Sequence, residues 1–472
     1  MVATATRTTL PPRPGTTALQ RGGLLVGLVV FVTALLVEVP GLDAPGQRML
    51  AIFLLAIVLW VTEAIPLVAT AVGVILLEVL LISDQALVAL PGEPLPAADY
   101  FAALANPVIV LFLGGFLIAD GASKFGLDRN LAAILLRPFA GNARRTVFGL
   151  MAITAALSMF VSNTATTATM FAVILPILAV LPPGRARTGL VLAVPIAANV
   201  GGIGTPVGSP PNAIALGALQ SQGQGVSFLG WMLLAVPLMV VVLGFAWWLL
   251  TRRYIPADTP MVLELAADFD RSPAAVIFYV VAGSTVLLWL TEPLHGIAST
   301  TVGFLPVVAL LATQVMTGDD LKVLQWPVLW LVAGGIALGI GIGATGLDAW
   351  LIGLVAWERL PLLLLILVLA LVGLGLSTVI SNSATANLLV PLAMTLATGL
   401  PIDTTAIGVL IALACSLAMA LPISTPPNAI AFATGDVDTR EMAITGLAIG
   451  AVGVLLLVFV LPEVWASLGL LS

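Results

Sequence analysis

Long apolar stretches separated by short polar segments run along almost the whole chain. A helix needs about 20 mostly apolar residues to cross the roughly 30 Å hydrocarbon core of a bilayer. Eleven stretches meet this requirement and predict membrane-spanning helices. They lie at 23–39, 49–66, 67–83, 105–122, 188–206, 227–251, 273–292, 297–316, 326–345, 405–422 and 442–462. Residues 1–22 are polar and rich in Pro and Thr, and we expect a disordered cytoplasmic tail there.

Two further apolar stretches, 145–182 and 360–398, are too long for one crossing and carry polar clusters at their centres. We interpret each as a re-entrant hairpin, which enters and leaves the membrane on the same side. Two full crossings in each stretch are the alternative, and both interpretations give the rest of the chain the same sidedness. The predicted fold is an all-α polytopic membrane protein with about 11 transmembrane helices and two re-entrant hairpins.

The charged residues predict an orientation. With eleven crossings and a cytoplasmic N-terminus, 15 of the 17 Lys and Arg residues fall inside, and only Arg48 and Arg359 fall outside. Positive charge is concentrated in the cytoplasmic loops of membrane proteins. We therefore expect a protein of the bacterial cytoplasmic membrane with its N-terminus inside and its C-terminus outside.

Composition excludes several classes of protein. Hydrophobic residues make up 60% of the chain and charged residues 8%, against about 25% charged in soluble domains. A single Cys and a single His exclude a disulfide framework and a thiolate metal cluster, and they make Ser-His catalysis improbable. The net charge of −6 argues against a nucleic-acid partner. We expect a lipid-embedded protein that is not an enzyme and holds no resident cofactor.

The chain contains an internal repeat. Three pairs of strings carry it: NPVIVLFLGGFLIADGASKFGLD from 106 with WPVLWLVAGGIALGIGIGATGLD from 326, VSNTATTATM from 161 with ISNSATANLL from 380, and GTPVGSPPNAIA from 204 with ALPISTPPNAIA from 420. Each unit holds five crossings and one hairpin, and an odd number predicts that the second copy is inverted. Inverted repeats with broken helices are typical of secondary transporters, whose site lies where the halves meet.

Polar clusters inside the repeats predict the site. Pro206, Pro210 and Pro211 interrupt one apolar run, and three prolines interrupt its counterpart, so we expect broken helices at 188–220 and 405–434. Backbone unwinds in a membrane only where it is buried in protein or lines a wet cavity. Freed carbonyls with Asn and Ser oxygens suit sodium, and helix N-termini suit a carboxylate. Because neither cluster contains Lys or Arg, a bound cation would offset the charge of an anion.

Other polar and aromatic residues receive plainer interpretations. We interpret Ser416 as a contact between helices, so that Ser416→Ala should change little. Glu63 and Glu292 lie at the ends of predicted spans, where a structural role is favoured over a proton relay. Trp60 and Trp289 are interpreted as residues of the aromatic belt at the membrane interface.

The paired motifs resemble those of the divalent anion:sodium symporter family, whose members carry dicarboxylates, citrate or sulfate. The family's marks are two Ser-Asn-Thr hairpin tips, each followed by an unwound helix with a Thr-Pro string. WVTEAIP from Trp60 is similar to the family's second helix. The resemblance implies an elevator mechanism, in which the hairpins and broken helices move as a transport domain against a scaffold domain that forms a homodimer.

The resemblance also implies binding residues. Its first sodium site maps to Ser158, Ser162, Asn163 and Gly208, and its second to Ser377, Asn382 and Ser424. Its substrate site maps to Asn163, Thr164, Ser209 and Pro210 on one side and to Asn382, Ser383, Thr425 and Pro426 on the other. Ser209 and Ser383 replace threonines of the family pattern, which keeps the hydroxyl and removes a methyl group.

These expectations divide the chain into a tail and two kinds of domain. The division is 1–22 tail, 23–104 scaffold, 105–226 first transport repeat, 227–325 scaffold, 326–440 second transport repeat and 441–472 final helix. The expected function is sodium-coupled uptake of a C4-dicarboxylate such as succinate, malate or fumarate. A sodium-independent exchanger and a sulfate or citrate carrier of the same fold are alternatives. A channel would leave the hairpins unexplained, and a membrane enzyme would need catalytic residues that the sequence does not offer.

Overall fold

A computed structural model describes residues 18–256, 259, 267–353, 361–398 and 403–470. Over these residues the chain forms helices joined by turns and loops, with no β-strand. The first half contains α1 Ala18–Leu36, α2 Ala44–Thr62, α3 Leu67–Ile82, α4 Ala97–Ala102, α5 Pro107–Lys124, α6 Leu127–Leu136, α7 Ala143–Ser158, α8 Asn163–Val180, α9 Arg185–Gly202, α10 Pro210–Ser221 and α11 Phe228–Arg253. The second half contains α12 Pro273–Leu290, α13 Glu292–His295, α14 Ser299–Val302, α15 Phe304–Ala312, α16 Gly318–Lys322, α17 Trp326–Ala344, α18 Leu347–Gly353, α19 Leu362–Val379, α20 Asn382–Thr398, α21 Thr404–Ser416, α22 Pro426–Ala433, α23 Thr439–Phe459 and α24 Leu461–Ser467.

Several helices begin at a side chain that caps the first turn. The caps of α7, α8, α11, α12 and α23 are Asn142, Ser162, Ser227, Ser272 and Asp438. Each accepts a hydrogen bond from a backbone N–H two or three residues further on, which the first turn of a helix otherwise leaves without a partner. The short helices α10 and α22 start with proline, whose missing N–H costs nothing at that position, and α22 is also capped by the Thr425 side chain.

The structure is that of a multi-pass membrane protein. In the described parts of the chain, eight helical stretches are long and apolar enough to cross a bilayer: 44–62, 97–124, 163–180, 228–253, 273–290, 326–344, 362–379 and 439–459. Four shorter apolar stretches lie at 22–36, 67–82, 299–312 and 404–416. The sequence predicted eleven full crossings, and the differences are specific. The span predicted at 297–316 is divided into α14 and α15, and the span predicted at 405–422 ends as a helix at Ser416.

The repeat seen in the sequence is also present in the order and packing of the helices. Helices α5 to α11 correspond in order to α17 to α23. Helix α10 of the first repeat packs on α20 and α21 of the second, and α22 of the second packs on α8 and α9 of the first. The flanking helices follow the same rule, since α3 packs on α17 while α14 and α15 pack on α5. The two repeats therefore interlock through equivalent elements.

Equivalent glycines bring these flanking helices into backbone contact. A Cβ added at Gly114 in α5 would lie 2.3 Å from the carbonyl oxygen of Gly303. A Cβ added at its counterpart in α17, Gly334, would lie 2.5 Å from the Cβ of Ala71 and 2.6 Å from the Cα of Ala71. Small residues at such positions let membrane helices approach closely and pack along their backbones.

Two predictions about local structure are wrong. Trp60 and Trp289 were expected at the membrane interface, but each is 1% exposed. Their indole nitrogens donate to the carbonyl oxygens of Leu67 and Ser299, at 3.3 and 3.0 Å, and so hold the chain where it enters the next helix. Residues 18–22, which the prediction placed in the tail, belong to α1, which begins at Ala18; the rest of the predicted tail, 1–17, lies outside the described residues.

Ion pairs join segments for which the charge pattern predicts the same side of the membrane. They are Lys124–Asp320 at 2.8 Å, Arg187–Asp436 at 2.7 Å and Arg253–Glu441 at 3.0 Å, all in segments predicted to be cytoplasmic. The hydrogen bond from Lys124 holds the pKa of Asp320 below its usual value. Arg48, predicted outside, donates instead to the carbonyl oxygens of Leu81 and Val88, at the start of a loop predicted outside.

Candidate functional site

A cavity of about 310 Å³ lies where the two repeats meet. Its polar lining consists of Ser162, Asn163, Thr164, Asn199, Ser209, Gln325, Ser381, Asn382, Ser383, Ser424 and Thr425. Apolar side chains and prolines complete the wall: Leu67, Val68, Phe112, Phe116, Val207, Pro210, Pro327, Val328, Leu331, Pro426 and Pro427, with Gly208. None of these lining residues carries a charge or a titratable group, so the cavity offers oxygen atoms and hydrogen-bond donors only.

Both predicted hairpin tips reach this cavity. Helix α7 ends at Ser158 and α8 begins at Asn163, with the Ser162 hydroxyl accepting from the backbone of Ala165 at 3.3 Å. The second tip repeats this geometry, where the Ser381 hydroxyl accepts from the backbone of Ala384 at 3.1 Å. The positively polarised N-terminal ends of α8 and α20 therefore lie at the cavity wall.

The two unwound loops reach the cavity from the other side. Helix α9 ends at Gly202 and α10 begins at Pro210, so that residues 203–209 leave the α-helix. Asn212 donates to the carbonyl oxygens of Gly202 and Thr205, at 3.0 and 2.8 Å. The Thr205 carbonyl also accepts from the backbone N–H of Gly208 at 3.3 Å. The Gly202 carbonyl, at the end of α9, depends on Asn212, and leaving it buried without a donor would cost about 1–3 kcal/mol.

The second loop is held in the same way. Helix α21 ends at Ser416 and α22 begins at Pro426. Asn428 donates to the carbonyl oxygens of Met419 and Leu421, at 2.8 and 3.0 Å. The sequence contained Asn212 and Asn428 in its repeated strings, but their role in closing the loops becomes visible only in the fold.

Oxygen atoms converge on Asn163 at the predicted first sodium site. The Asn163 amide nitrogen donates to Ser158 Oγ at 2.6 Å and to the carbonyl oxygens of Ala198 and Gly208 at 3.2 and 3.1 Å. Ser158 is fully buried and donates in turn to the Ala198 carbonyl at 2.8 Å. Turning the amide would present its oxygen with three others to a hard cation, which prefers oxygen ligands. Ser162, the fourth predicted ligand, lies at the rim with its hydroxyl capping α8.

The predicted second sodium site is arranged differently. The side-chain oxygen of Asn382 is buried and has no hydrogen-bond partner among the described residues. Ser377 lies fully buried at the end of α19, just before this tip. The Ser424 hydroxyl is already engaged by the protein, because it donates to the Thr378 carbonyl at 2.7 Å and accepts from the Leu421 backbone at 3.1 Å. An unpaired buried oxygen is a group that a cation would satisfy.

All the predicted substrate-binding residues line the one cavity. From the first repeat these are Asn163, Thr164, Ser209 and Pro210, and from the second Asn382, Ser383, Thr425 and Pro426. Asn199 also lines the cavity and is 2% exposed, and it was not among the binding residues predicted from the sequence. The only signal for it was a single polar residue in the run AVPIAANVGG, just before the unwound loop.

Ser416 has a role that its sequence context did not reveal. Its hydroxyl lies 3.2 Å from the hydroxyl of Ser209, a predicted substrate-binding residue of the other repeat. The predicted contact between helices therefore exists, and its partner belongs to the cavity wall.

The chain was compared with known proteins. The family model described as Citrate transporter matches residues 57–415. The sodium-dependent dicarboxylate transporter SdcS of Staphylococcus saprophyticus is 31% identical over 491 residues, covering 93% of this chain and 90% of that protein. This chain belongs to the divalent anion:sodium symporter family. The resemblance found in the sequence motifs is thereby confirmed. SdcS proteins of Staphylococcus aureus are 28% identical to this member of the family over the same shares of both chains.

Solved structures resemble this family member in fold. The Alcanivorax borkumensis YdaH transporter superposes with a TM-score of 0.56 at 16% identity, covering 91% of this chain and 100% of the other. Neisseria gonorrhoeae MtrF, described as one of a class of antimetabolite efflux pumps, gives a TM-score of 0.50 at 12% identity over 91% and 98%. These likenesses concern architecture alone, and both neighbours are transporters.

Proposed function

We propose that this protein couples the inward movement of sodium to the uptake of a C4-dicarboxylate such as succinate, malate or fumarate across a bacterial cytoplasmic membrane. The observation that carries the proposal is the uncharged cavity between the repeats. Hydroxyl groups and helix N-termini from both repeats face it. The oxygen atoms around Asn163 and the unpaired side-chain oxygen of Asn382 lie at the two hairpin tips that line it.

The absence of a charged side chain among the lining residues favours coupling to a cation. A dianion that leaves water for a cavity without fixed positive charge loses solvation worth many kcal/mol. The N-termini of α8 and α20 and the hydroxyl donors return part of this free energy. Sodium ions held next to the anion would return much of the rest, so anion and cation should bind together.

The names of the relatives support this choice of ion and anion. The staphylococcal relatives are named sodium-dependent dicarboxylate transporters. The matching family model is described as a citrate transporter, and citrate is therefore the second candidate anion. A sodium-independent exchanger or a sulfate carrier could be built on the same fold, and uptake measurements with defined ions distinguish both from a sodium-coupled dicarboxylate carrier.

We infer an elevator mechanism from the interlocked repeats. Residues 105–226 and 326–440 contain the hairpins and broken helices that pack on one another, and they would move as one transport domain. Residues 23–104 and 227–325 would form the scaffold, with 441–472 as the final helix. Homodimerisation through the scaffold and the inversion of the second repeat are parts of the same proposal, as is the cytoplasmic N-terminus with an external C-terminus.

The test is uptake of labelled succinate into proteoliposomes, with and without an inward sodium gradient and with no internal substrate. Concentrative uptake that requires sodium supports symport. Uptake that ignores sodium but requires internal dicarboxylate would replace symport with exchange. If neither condition gives succinate uptake, the same vesicles are assayed with citrate and sulfate, and transport of one of those anions would replace the dicarboxylate.

A further inference from the structure

The hydroxyl of Thr425 has both of its acceptor positions occupied. Its Oγ1 accepts from the backbone N–H of Asn428 at 3.3 Å, as the cap of α22. It also accepts from the side-chain amide of Asn199 at 3.1 Å. A hydroxyl group has two acceptor lone pairs and one proton to donate. The Thr425 proton is thus the only hydrogen-bonding capacity left at this atom, and Thr425 lines the cavity.

Asn199 uses its own donors entirely on the protein. Its amide nitrogen donates to Thr425 Oγ1 and to Asn428 Oδ1, both at 3.1 Å, and an amide nitrogen has two hydrogens. Asn199 therefore has no N–H left for a bound anion. It comes from α9 of the first repeat, whereas Thr425 and Asn428 belong to the second, so the contact crosses the interface between the repeats.

The equivalent hydroxyl of the first repeat is not constrained in this way. Ser209 matches Thr425 in the repeated strings and precedes α10, but its side chain makes no capping bond. Its side chain contacts Ser416 Oγ at 3.2 Å, and either hydroxyl can be the donor. Ser416 lies one position after Cys415, the counterpart of Asn199 at the same offset. Ser209 can therefore donate to a ligand or accept from it.

We propose that Asn199 is a positioning residue that makes Thr425 an obligate hydrogen-bond donor to an anionic carboxylate of the substrate. This inference rests on the proposed function, because it concerns the dicarboxylate bound in the same cavity. The Ser209–Ser416 pair leaves the first repeat's hydroxyl adaptable. The wall at Thr425 thus requires a hydrogen-bond acceptor, which a carboxylate oxygen supplies, and the wall at Ser209 accepts a carboxylate or a hydroxyl group of the ligand.

A double-mutant cycle tests this role in sodium-driven succinate uptake. The proteins are wild type, Asn199→Ala, Thr425→Val and the double variant, with Ser416→Ala for comparison with the other repeat. The control is Asn130→Ala, which removes a buried side-chain amide that bonds to the backbone of Asp268 and does not line the cavity, and its KM should stay within about 2-fold of wild type. Because a hydrogen bond to a charged group is involved, Asn199→Ala should raise the succinate KM about 10-fold. In the Thr425→Val background the same change should raise KM less than about 2-fold, since the proton it orients is gone. Ser416→Ala should change KM less than about 3-fold.

Two readouts separate positioning from packing. With succinate saturating for each variant, the sodium concentration for half-maximal uptake should stay within about 2-fold in Asn199→Ala, because the oxygen atoms at the two hairpin tips do not include this side chain. Asn199→Ser keeps a short donor and should recover part of the KM change. If Asn199→Ala does not yield monodisperse protein, Asn199→Ser carries the cycle in its place.

Equal KM changes in the wild-type and Thr425→Val backgrounds would overturn the inference, and so would an unchanged KM in both Asn199 variants. Neither result would affect the proposed function, provided that the wild-type protein shows sodium-driven uptake. A wild-type protein without such uptake would overturn the proposed function and this inference with it.

Discussion

Asn212 and Asn428 hold the two unwound loops by the same device. They occupy equivalent positions in the repeated strings, and each donates its side-chain amide to carbonyl groups of the loop that follows the preceding helix, or of that helix's last residue. Both are buried, at 0% and 1% exposure. The loops that border the cavity are therefore kept in shape by the protein itself, before any cation or anion binds.

Removal of this amide should destabilise the protein as a whole. Asn212→Ala removes the side-chain donor to the carbonyl groups of Gly202, Ile203 and Thr205, of which Thr205 keeps a bond from the Gly208 N–H. We expect a loss of about 2–3 kcal/mol in the free energy of unfolding. The measurement is thermal unfolding of the purified protein in detergent. The control is Asn142→Ala, which removes an exposed helix cap and should cost about 1 kcal/mol. Equal losses in the two variants would show that the loop does not depend on Asn212.

Gly202 should be required for sodium binding at the predicted first sodium site, beside Asn163. A Cβ at this position would lie 2.4 and 2.7 Å from the two terminal atoms of the Asn163 amide and 2.9 Å from the Gly208 carbonyl oxygen. Gly202→Ala should therefore raise the sodium concentration for half-maximal uptake at least about 10-fold, or abolish uptake. The matched control is Gly244→Ala in α11, where an added Cβ meets no atom within 4 Å. Unchanged sodium dependence in Gly202→Ala would contradict the placement of a cation beside Asn163.

The ordered polar strings come together at one cavity, for a physical reason. Polar residues and prolines inside long apolar runs are costly in a membrane unless they serve a buried or wet site. Their repetition predicted that two tips and two loops would form similar pockets, and the structure brings all eight substrate candidates to one cavity. The ends of helices were less predictable, because a break such as that between α14 and α15 depends on packing against α5.

Residues whose role depends on tertiary packing were not predictable. Trp60 and Trp289 are tryptophans near the ends of predicted spans, which is typical of an interfacial belt, and only the tertiary structure shows that they are buried. Asn199 and Ser416 are single polar residues in apolar helices, where a contact between helices is the usual interpretation. Their partners, Thr425 and Ser209, lie more than 200 positions away in the chain, and no local pattern connects them.

The two hairpin-tip asparagines should both be needed for coupled transport. Asn163→Ala removes the group on which three oxygens converge, and Asn382→Ala removes a buried oxygen without a partner. Each change should raise both the sodium and the succinate concentration for half-maximal uptake about 10-fold or more, since an anion and a cation bind next to each other. Uptake kinetics at several sodium concentrations measure this. Variants with unchanged affinities for both ions would show that the tips do not bind them.

The orientation predicts which introduced cysteines react from outside the cell. The native Cys415 is fully buried, so background labelling should be low. Glu93→Cys and Ser467→Cys, at exposed positions predicted outside, should react with an impermeant maleimide in intact cells. Asn142→Cys should react only after permeabilisation. Labelling of Asn142→Cys in intact cells would reverse the assigned orientation.

Glu78 is a buried carboxyl group that the sequence analysis did not single out. It is fully buried in α3, and neither carboxyl oxygen has a hydrogen-bond partner among the described residues. Gly341 of α17 leaves room for it, because an added Cβ there would lie 2.5 Å from Glu78 Oε1. An unpaired charge in such a place costs several kcal/mol. A neutral side chain of the same shape should therefore fit at least as well.

Glu78→Gln should thus keep the midpoint of thermal unfolding at or above that of the wild type. Gly341→Ala should lower the free energy of unfolding by about 1–3 kcal/mol, because it forces α3 and α17 apart at the same contact. Thermal unfolding of both variants in detergent measures the difference. A large loss of stability in Glu78→Gln would show that the negative charge is needed and has a partner, since the shape of the side chain is unchanged. Stability retained in Gly341→Ala would show that α3 and α17 can separate at Glu78 without cost.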